Sequence, residues 1–229
     1  ICLLSLAMTF TSCSDEAVDV ENVNKQTILV FFPWTGGTSS TGLKYFLENN
    51  VDSMCAGIVD KKGLTNARVL VFFTEKYNES TLYDLQYDAT TKTVKRVPIK
   101  KYEGNSHCTA EGFADLLNDV RQNAEALNYS LIIGAHGCGW TYASDWVNYP
   151  YKARPKGGSF RKENDDNTVS NATSNSFSGI QFGNDPNRPV TRFFGSVSLS
   201  DNAIDISTLA EGIKLSGLKM QYILFDACY

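Results

Sequence analysis

The stretch QYILFDACY (221–229) joins an apolar run to an aspartate and a cysteine two positions apart. Tyr222 to Phe225 are aromatic or branched, and such a run predicts a short buried strand. Asp226 and Cys228 are then expected where the strand gives way to its loop. Because open α/β sheets carry their chemistry at that edge, we expect functional side chains there.

A second apolar run, SLIIGAHGCGW (130–140), places His136 directly after another predicted strand. If the two strands are parallel neighbours, the imidazole and the thiol of Cys228 meet at one sheet edge. Near pH 7 only a few per cent of an unperturbed thiol is thiolate, and an adjacent imidazole raises that fraction by forming an ion pair. Gly137 has no side chain, so its N–H could point at a developing oxyanion together with that of Cys228.

The rest of the chain alternates between strand and helix patterns. This order predicts an α/β fold with a mostly parallel sheet. Strands are predicted over 26–34, 67–74 and 129–137, and a hairpin over 80–99. One helix is predicted to begin near Thr41, a second to follow Thr109, which is its N-cap, and a third to span 206–215.

Composition limits the number of domains and the kind of partner. With 229 residues, of which 42% are hydrophobic, the chain has enough apolar material for one sizeable domain. The formal net charge of -4 provides no basic stripe of the kind that nucleic-acid-binding proteins carry. We therefore expect one globular core and no nucleic-acid partner.

The first residues predict export. An apolar run from Ile1 to Phe10 is too short to span a bilayer, and small residues and Cys13 follow it. This pattern resembles the end of a bacterial lipoprotein signal, which implies cleavage before Cys13, a lipid on that cysteine and a membrane anchor. Residues 1–12 are then the N-terminally truncated signal and residues 13–25 a tether. The protein is expected in the cell envelope, in the periplasm or on the outer-membrane surface, or secreted; an ordinary secretory signal and a membrane-anchor stub remain alternatives.

Four cysteines fall in the globular part of the chain. They could form two disulfides in an exported protein, but their spacing is unlike a disulfide framework, so we expect mostly free, buried thiols. Neither CxxC pairs nor enough histidines are present for a metal site, and none is predicted. His107 lies in a polar stretch and is interpreted as structural. The four cysteines are Cys55, Cys108, Cys138 and Cys228.

Two motifs stand at the ends of strands: His-Gly-x-Gly-Trp after one strand and Asp-Ala-Cys after a later one. In this pairing the chain resembles the clostripain family (C11) of cysteine peptidases. This family shares a caspase-like fold with caspases, gingipains and separases, and the match runs from about Gln26 to Tyr229. The resemblance implies an α/β/α sandwich with a mostly parallel sheet, a catalytic dyad of His136 and Cys228, and Asp226 in a pocket that selects Arg or Lys. Because the family's sheet normally continues past the nucleophile, the C-terminal part of the peptidase domain over 26–229 is expected to be missing.

The polar segment over 149–192 has almost no apolar periodicity. It is either a variable surface insertion or, as the resemblance implies, an activation loop that the enzyme itself cuts after a basic residue. No cofactor is expected to be required, although some relatives need calcium. The candidate cleavage residues are Lys152, Lys156, Arg161 and Lys162.

Three functions are compatible with these patterns. The favoured one is a cysteine endopeptidase that cleaves proteins or peptides after Arg or Lys. A catalytically silent, lipid-anchored binding protein of the cell envelope is the alternative, and an acyl transferase with the same dyad is a third.

Overall fold

The fold is an eight-stranded sheet between helices, as a computed structural model of the chain shows for residues 23–35, 42–137, 192–196 and 202–228. The strands are β1 (Gln26–Phe32), β2 (Ala67–Lys76), β3 (Glu79–Asp88), β4 (Thr93–Glu103), β5 (Asn128–Gly137), β6 (Phe193–Gly195), β7 (Ala203–Asp205) and β8 (Met220–Cys228). The helices are α1 (Leu43–Asp60), α2 (Ala110–Asn123) and α3 (Ile206–Ser216), with a short 3-10 helix over Ser106–Cys108.

The centre of the sheet is parallel. The strands follow the order β4-β3-β2-β1-β5-β6-β7, and β8 also pairs with β5. β1 runs parallel to β2 and β5, and β8 runs parallel to β5. Parallel neighbours need crossover connections, which here contain α1 between β1 and β2 and α3 before β8. The predicted α/β class is confirmed, and the antiparallel pairs extend the sheet through β3 and β4 and through β6 and β7.

Alternate residues of the central strands face two apolar cores, one on each face of the sheet. The face that we call the α2 face packs against α2 and α3, and the face that we call the α1 face packs against α1. The predicted α/β/α sandwich is therefore confirmed. Members of the first core include Leu29, Phe31, Leu70, Phe72, Phe113, Leu116 and Leu209; members of the second include Val30, Phe32, Val69, Val71, Leu47 and Val51.

Side-chain caps set where two helices begin. The Thr109 hydroxyl accepts a hydrogen bond from the Gly112 N–H at 3.1 Å, which confirms the predicted N-cap of α2. The Asp205 carboxylate accepts from the Thr208 N–H at 2.7 Å and caps α3 in the same way. Gly217, at a φ of 69°, ends α3 in the left-handed conformation and leads into β8.

The terminal strand differs from its prediction in burial and in extent. Tyr222 to Phe225 form a strand, but the expectation that it is buried is wrong, because these side chains are 39–51% exposed. In the described part of the chain β8 pairs with β5 alone, so nothing covers its outer edge. Asp226 and Cys228 lie within β8 rather than in a loop, because pairing with β5 continues through Cys228.

The sequence patterns do not predict β6 and β7. Each strand has three residues, which is too short for a period of two to be recognised. β6 nevertheless pairs with the end of β5, at His136 and Gly137, so it lies beside the predicted site.

Candidate active site

The end of β5 and the end of β8 lie side by side. Their parallel register pairs Gly134 with Asp226 and His136 with Cys228. Neighbouring strands in a sheet are about 4.8 Å apart, so the backbones of His136 and Cys228 are adjacent although 92 positions separate them in the chain. The fold therefore brings the two positions that the sequence motifs single out to one sheet edge.

Partial burial sets the charge of His136. Removal of the ring from water disfavours the imidazolium ion, so burial lowers the pKa of His136 below its ordinary value of 6.5. Burial therefore favours the neutral imidazole over the imidazolium ion. A neutral imidazole can accept a proton from a thiol, which is the property that a general base requires.

Asp226 stands two positions before Cys228 on β8 and is exposed. In the described part of the chain β8 pairs with β5 alone, so this carboxylate lies on an edge strand. Asn50 of α1 donates a hydrogen bond from Nδ2 to Asp226 Oδ2 at 3.4 Å, so α1 faces this end of β8.

Gly134 allows α1 and β1 to approach the site closely. A Cβ atom at Gly134 would lie 2.4 Å from Cε1 of Phe32 and 3.1 Å from Cδ2 of Leu47. Any larger residue would displace this packing two positions before His136. Sequence reasoning missed both Gly134 and Asn50, although a glycine inside an apolar strand is a recognised signal of close approach.

Gly137 is the last residue of β5 and pairs with Phe194 of β6.

His107 is placed elsewhere, in the core of the α2 face, where its ring packs against Phe31 and Phe72. Burial lowers the pKa of His107 to about 4, against a smaller opposing effect of its hydrogen bond with the Pro33 carbonyl. Its interpretation as a structural residue agrees with these contacts.

Several predicted residues lie outside the described ranges or are only partly described. Cys55 and Cys108 are partly buried rather than fully buried. The lipidation candidate Cys13, Cys138 and the four cleavage candidates, Lys152, Lys156, Arg161 and Lys162, lie outside the described residues.

Within those described ranges, no group of three or more His, Cys, Asp or Glu side chains could hold a metal ion. The calcium requirement that the family resemblance allows stays a prediction. No helix in the same ranges is both long and apolar enough to cross a membrane.

Comparison with known proteins finds relatives among solved structures. No family model and no curated protein sequence matches the chain. Over 90% of its length, the chain is 26% identical to iotapain, a secreted C11 cysteine protease from Bacteroides thetaiotaomicron, with a TM-score of 0.64. A secreted C11 cysteine protease from the same organism, in complex with an irreversible peptide inhibitor, is 19% identical over 90% of the chain, with a TM-score of 0.53.

The chain spans 47% of the length of iotapain and 43% of the length of the second protease. The likeness to the second protease shows the fold alone. Iotapain and this chain also have the same residue at 26% of the aligned positions. The chain is thus a structural relative of C11 cysteine proteases, and the resemblance to the clostripain family that its motifs predict is confirmed.

Proposed function

We propose that the protein is a cysteine endopeptidase in which Cys228 is the nucleophile and His136 the general base. The observation that carries this proposal is the register between His136 and Cys228 on adjacent parallel strands. Support also comes from the likeness to iotapain and from the lowered pKa of His136, which keeps the base neutral.

The reaction proceeds through a thioester. His136 accepts the thiol proton of Cys228, and the thiolate sulfur attacks the carbonyl carbon of the scissile peptide bond. The C–N bond then breaks, and the imidazolium ion gives its proton to the leaving amine. Next, His136 removes a proton from a water molecule whose oxygen attacks the thioester, the C–S bond breaks and the proton returns to sulfur. The N–H groups of Gly137 and Cys228 stabilise the oxyanion that forms in each half of the reaction.

Removal of the thiol tests this assignment most simply. Cys228→Ala in the full-length protein should abolish hydrolysis of peptides, because no other group in the mechanism can form the thioester. Cys55→Ala is the matched control, since Cys55 is a free thiol on α1. Substantial turnover by the folded Cys228→Ala protein would refute the nucleophile.

Asp226 selects substrates with Arg or Lys before the scissile bond. Asp226 lies two register positions before the pair of His136 and Cys228, and Asn50 donates a hydrogen bond to its Oδ2. A hydrogen bond to a charged group contributes about 1.5 to 3 kcal/mol, so Asp226→Asn should lower the ratio of kcat/KM for Arg over Ala peptides roughly 10- to 100-fold. Asp60→Asn, an exposed carboxylate at the end of α1, should leave the ratio unchanged. An unaltered ratio in Asp226→Asn would assign selectivity to other residues.

The polar segment over 149–192 is cut by the enzyme itself after a basic residue. Its basic side chains match the selectivity assigned to Asp226, which supports this maturation step. The full-length wild-type protein and Cys55→Ala should separate into two chains, and Cys228→Ala should remain whole. Equal processing of Cys228→Ala would point to another protease.

A lipid on Cys13 anchors the protein in the bacterial cell envelope. The support is the apolar run followed by small residues and Cys13. Cys13→Ser should lose lipid labelling and leave the membrane fraction, whereas Cys2→Ser should keep both. Unchanged membrane partition of Cys13→Ser would contradict the lipid anchor and favour the membrane-anchor stub.

A further inference from the structure

The end of β5 extends beyond its pairing with β1. The last register pair between these strands joins Phe31 to Ile133, whereas β5 continues to Gly137. β6 takes over at this point, because His136 pairs with Gly195 and Gly137 pairs with Phe194. Of the described strands, β6 is therefore the one that supports the end of β5 on the side opposite β8.

A three-residue strand cannot hold this position by itself, and β7 supports it. Gly195 pairs with Ala203, and the Ser196 N–H donates to the Asn202 carbonyl at 2.9 Å. Gly195 has a φ of 115°, which side chains of L-residues rarely allow. A Cβ atom there would lie 2.4 Å from the Asn202 carbonyl oxygen and 3.0 Å from Cα of Ala203. Glycine is thus required for β6 to lie against β7.

Asn202 connects this strand pair to a distant part of the chain. Its side chain is fully buried, and Nδ2 donates a hydrogen bond to Asn105 Oδ1 at 2.8 Å. Asn105 precedes the short 3-10 helix between β4 and α2. This hydrogen bond joins residues 97 positions apart and ties β6 and β7 to the segment that precedes α2.

We propose that Gly195 and Asn202 are positioning residues for His136. Gly195 holds the backbone of His136 through strand pairing, and Asn202, fastened by Asn105, holds Gly195. This inference rests on the proposed function, because it assigns the two residues a role in placing the general base and the adjacent N–H of Gly137. Displacement of a reacting group by about 1 Å can cost roughly 100-fold in rate, so even a small shift of β6 should be measurable.

The test compares variants of the full-length protein per folded active site, counted by titration with an irreversible peptide inhibitor. Asn105→Ala should lower kcat at least about tenfold with little change in KM, because the base moves while substrate contacts remain. The double variant Asn105→Ala/Asn202→Ala should lose no more than Asn105→Ala alone, since both changes break one connection. Gly195→Ala should lose more, about 100-fold or beyond.

Gly217→Ala is the matched control for Gly195→Ala. Gly217 also has a positive φ, of 69°, but a Cβ atom there meets nothing within 4 Å. This variant should lose stability and keep its kcat per folded site. If Gly195→Ala does not fold, the test is the kcat per folded site of Asn105→Ala.

A second readout is independent of hydrolysis. In histidine-labelled protein, the NMR signal of His136, assigned by its loss in His136→Ala, should shift in position and in pKa in Asn105→Ala and Gly195→Ala but not in Gly217→Ala. If the wild-type protein cleaves no peptide, this arm still decides the inference. Wild-type kcat per folded site together with an unchanged His136 signal in Asn105→Ala would overturn it.

Discussion

The two histidines of the chain lie near the same edge of the sheet in opposite surroundings. His107 is 1% exposed, with its ring centroid 4.8 Å from that of Phe72 and its Nε2 3.4 Å from the Pro33 carbonyl oxygen at the end of β1. His136 is only partly buried and stands at the end of β5, between β6 and β8. Burial among aromatic rings makes the first a packing residue, whereas the second stays partly exposed at the end of its strand.

Burial lowers the pKa of both side chains, but the consequences differ. His107 is enclosed, so its neutral form contributes to the stability of the fold. His136 remains reachable, so its neutral form can act as a base. A lowered pKa is therefore common to both histidines, and what separates them is their position in the fold.

The largest expected difference between the two histidines is in activity. His136→Ala in the full-length protein should lower kcat/KM for Arg peptides at least about a thousandfold, because it removes the proposed general base. His107→Gln, which keeps a hydrogen-bond donor for the Pro33 carbonyl, should keep the wild-type kcat/KM per folded site. Comparable losses in both variants would remove the distinction between the two histidines.

A smaller difference is expected in acid stability. Above pH 6.5 His107 is neutral whether the chain is folded or unfolded. Between pH 6.5 and about 4 the unfolded chain binds a proton at this residue and the folded protein does not, so the free energy of unfolding falls as the pH falls. The loss should reach about 3 kcal/mol.

Urea unfolding at pH 7 and pH 4 measures this loss. His107→Gln carries no titrating ring, so its free energy of unfolding should decrease about 3 kcal/mol less than that of the wild type over the same interval. Parallel pH dependences of the two proteins would show that His107 is not held neutral by the fold.

The sequence predicts the position of His136 better than it predicts the contacts that hold the site in place. Local patterns predict the strands β1, β2 and β5 and the N-cap Thr109, because apolar runs and capping residues act over a few positions. The contacts of Asn105 with Asn202 and of Asn50 with Asp226 join residues 97 and 176 positions apart, and no local pattern encodes them. The exposure of β8 likewise depends on what packs against it and not on its own residues.

The lowered pKa of His136 is expected to have a still smaller effect, on the pH dependence of kcat/KM. Burial lowers the pKa of His136, so the base stays unprotonated to a pH below the ordinary 6.5 of a histidine. The acid limb of kcat/KM should therefore have its midpoint below pH 6.5, with activity lost as the pH falls through it. A midpoint near 8.5, the ordinary value of a thiol, would indicate a cysteine that acts without His136.

Alkylation of Cys228 by iodoacetamide at pH 7 tests the pairing of His136 and Cys228 most directly. Burial raises the pKa of the Cys55 thiol, against the opposing charge of Arg96, so Cys108 is the stricter reference thiol. Since an ion pair with imidazole raises the thiolate fraction from a few per cent, Cys228 should react at least about tenfold faster than Cys108. This excess should disappear in His136→Ala and persist in His107→Gln. Equal rates for Cys228 and Cys108 in the wild-type protein, or an excess that survives His136→Ala, would contradict the dyad.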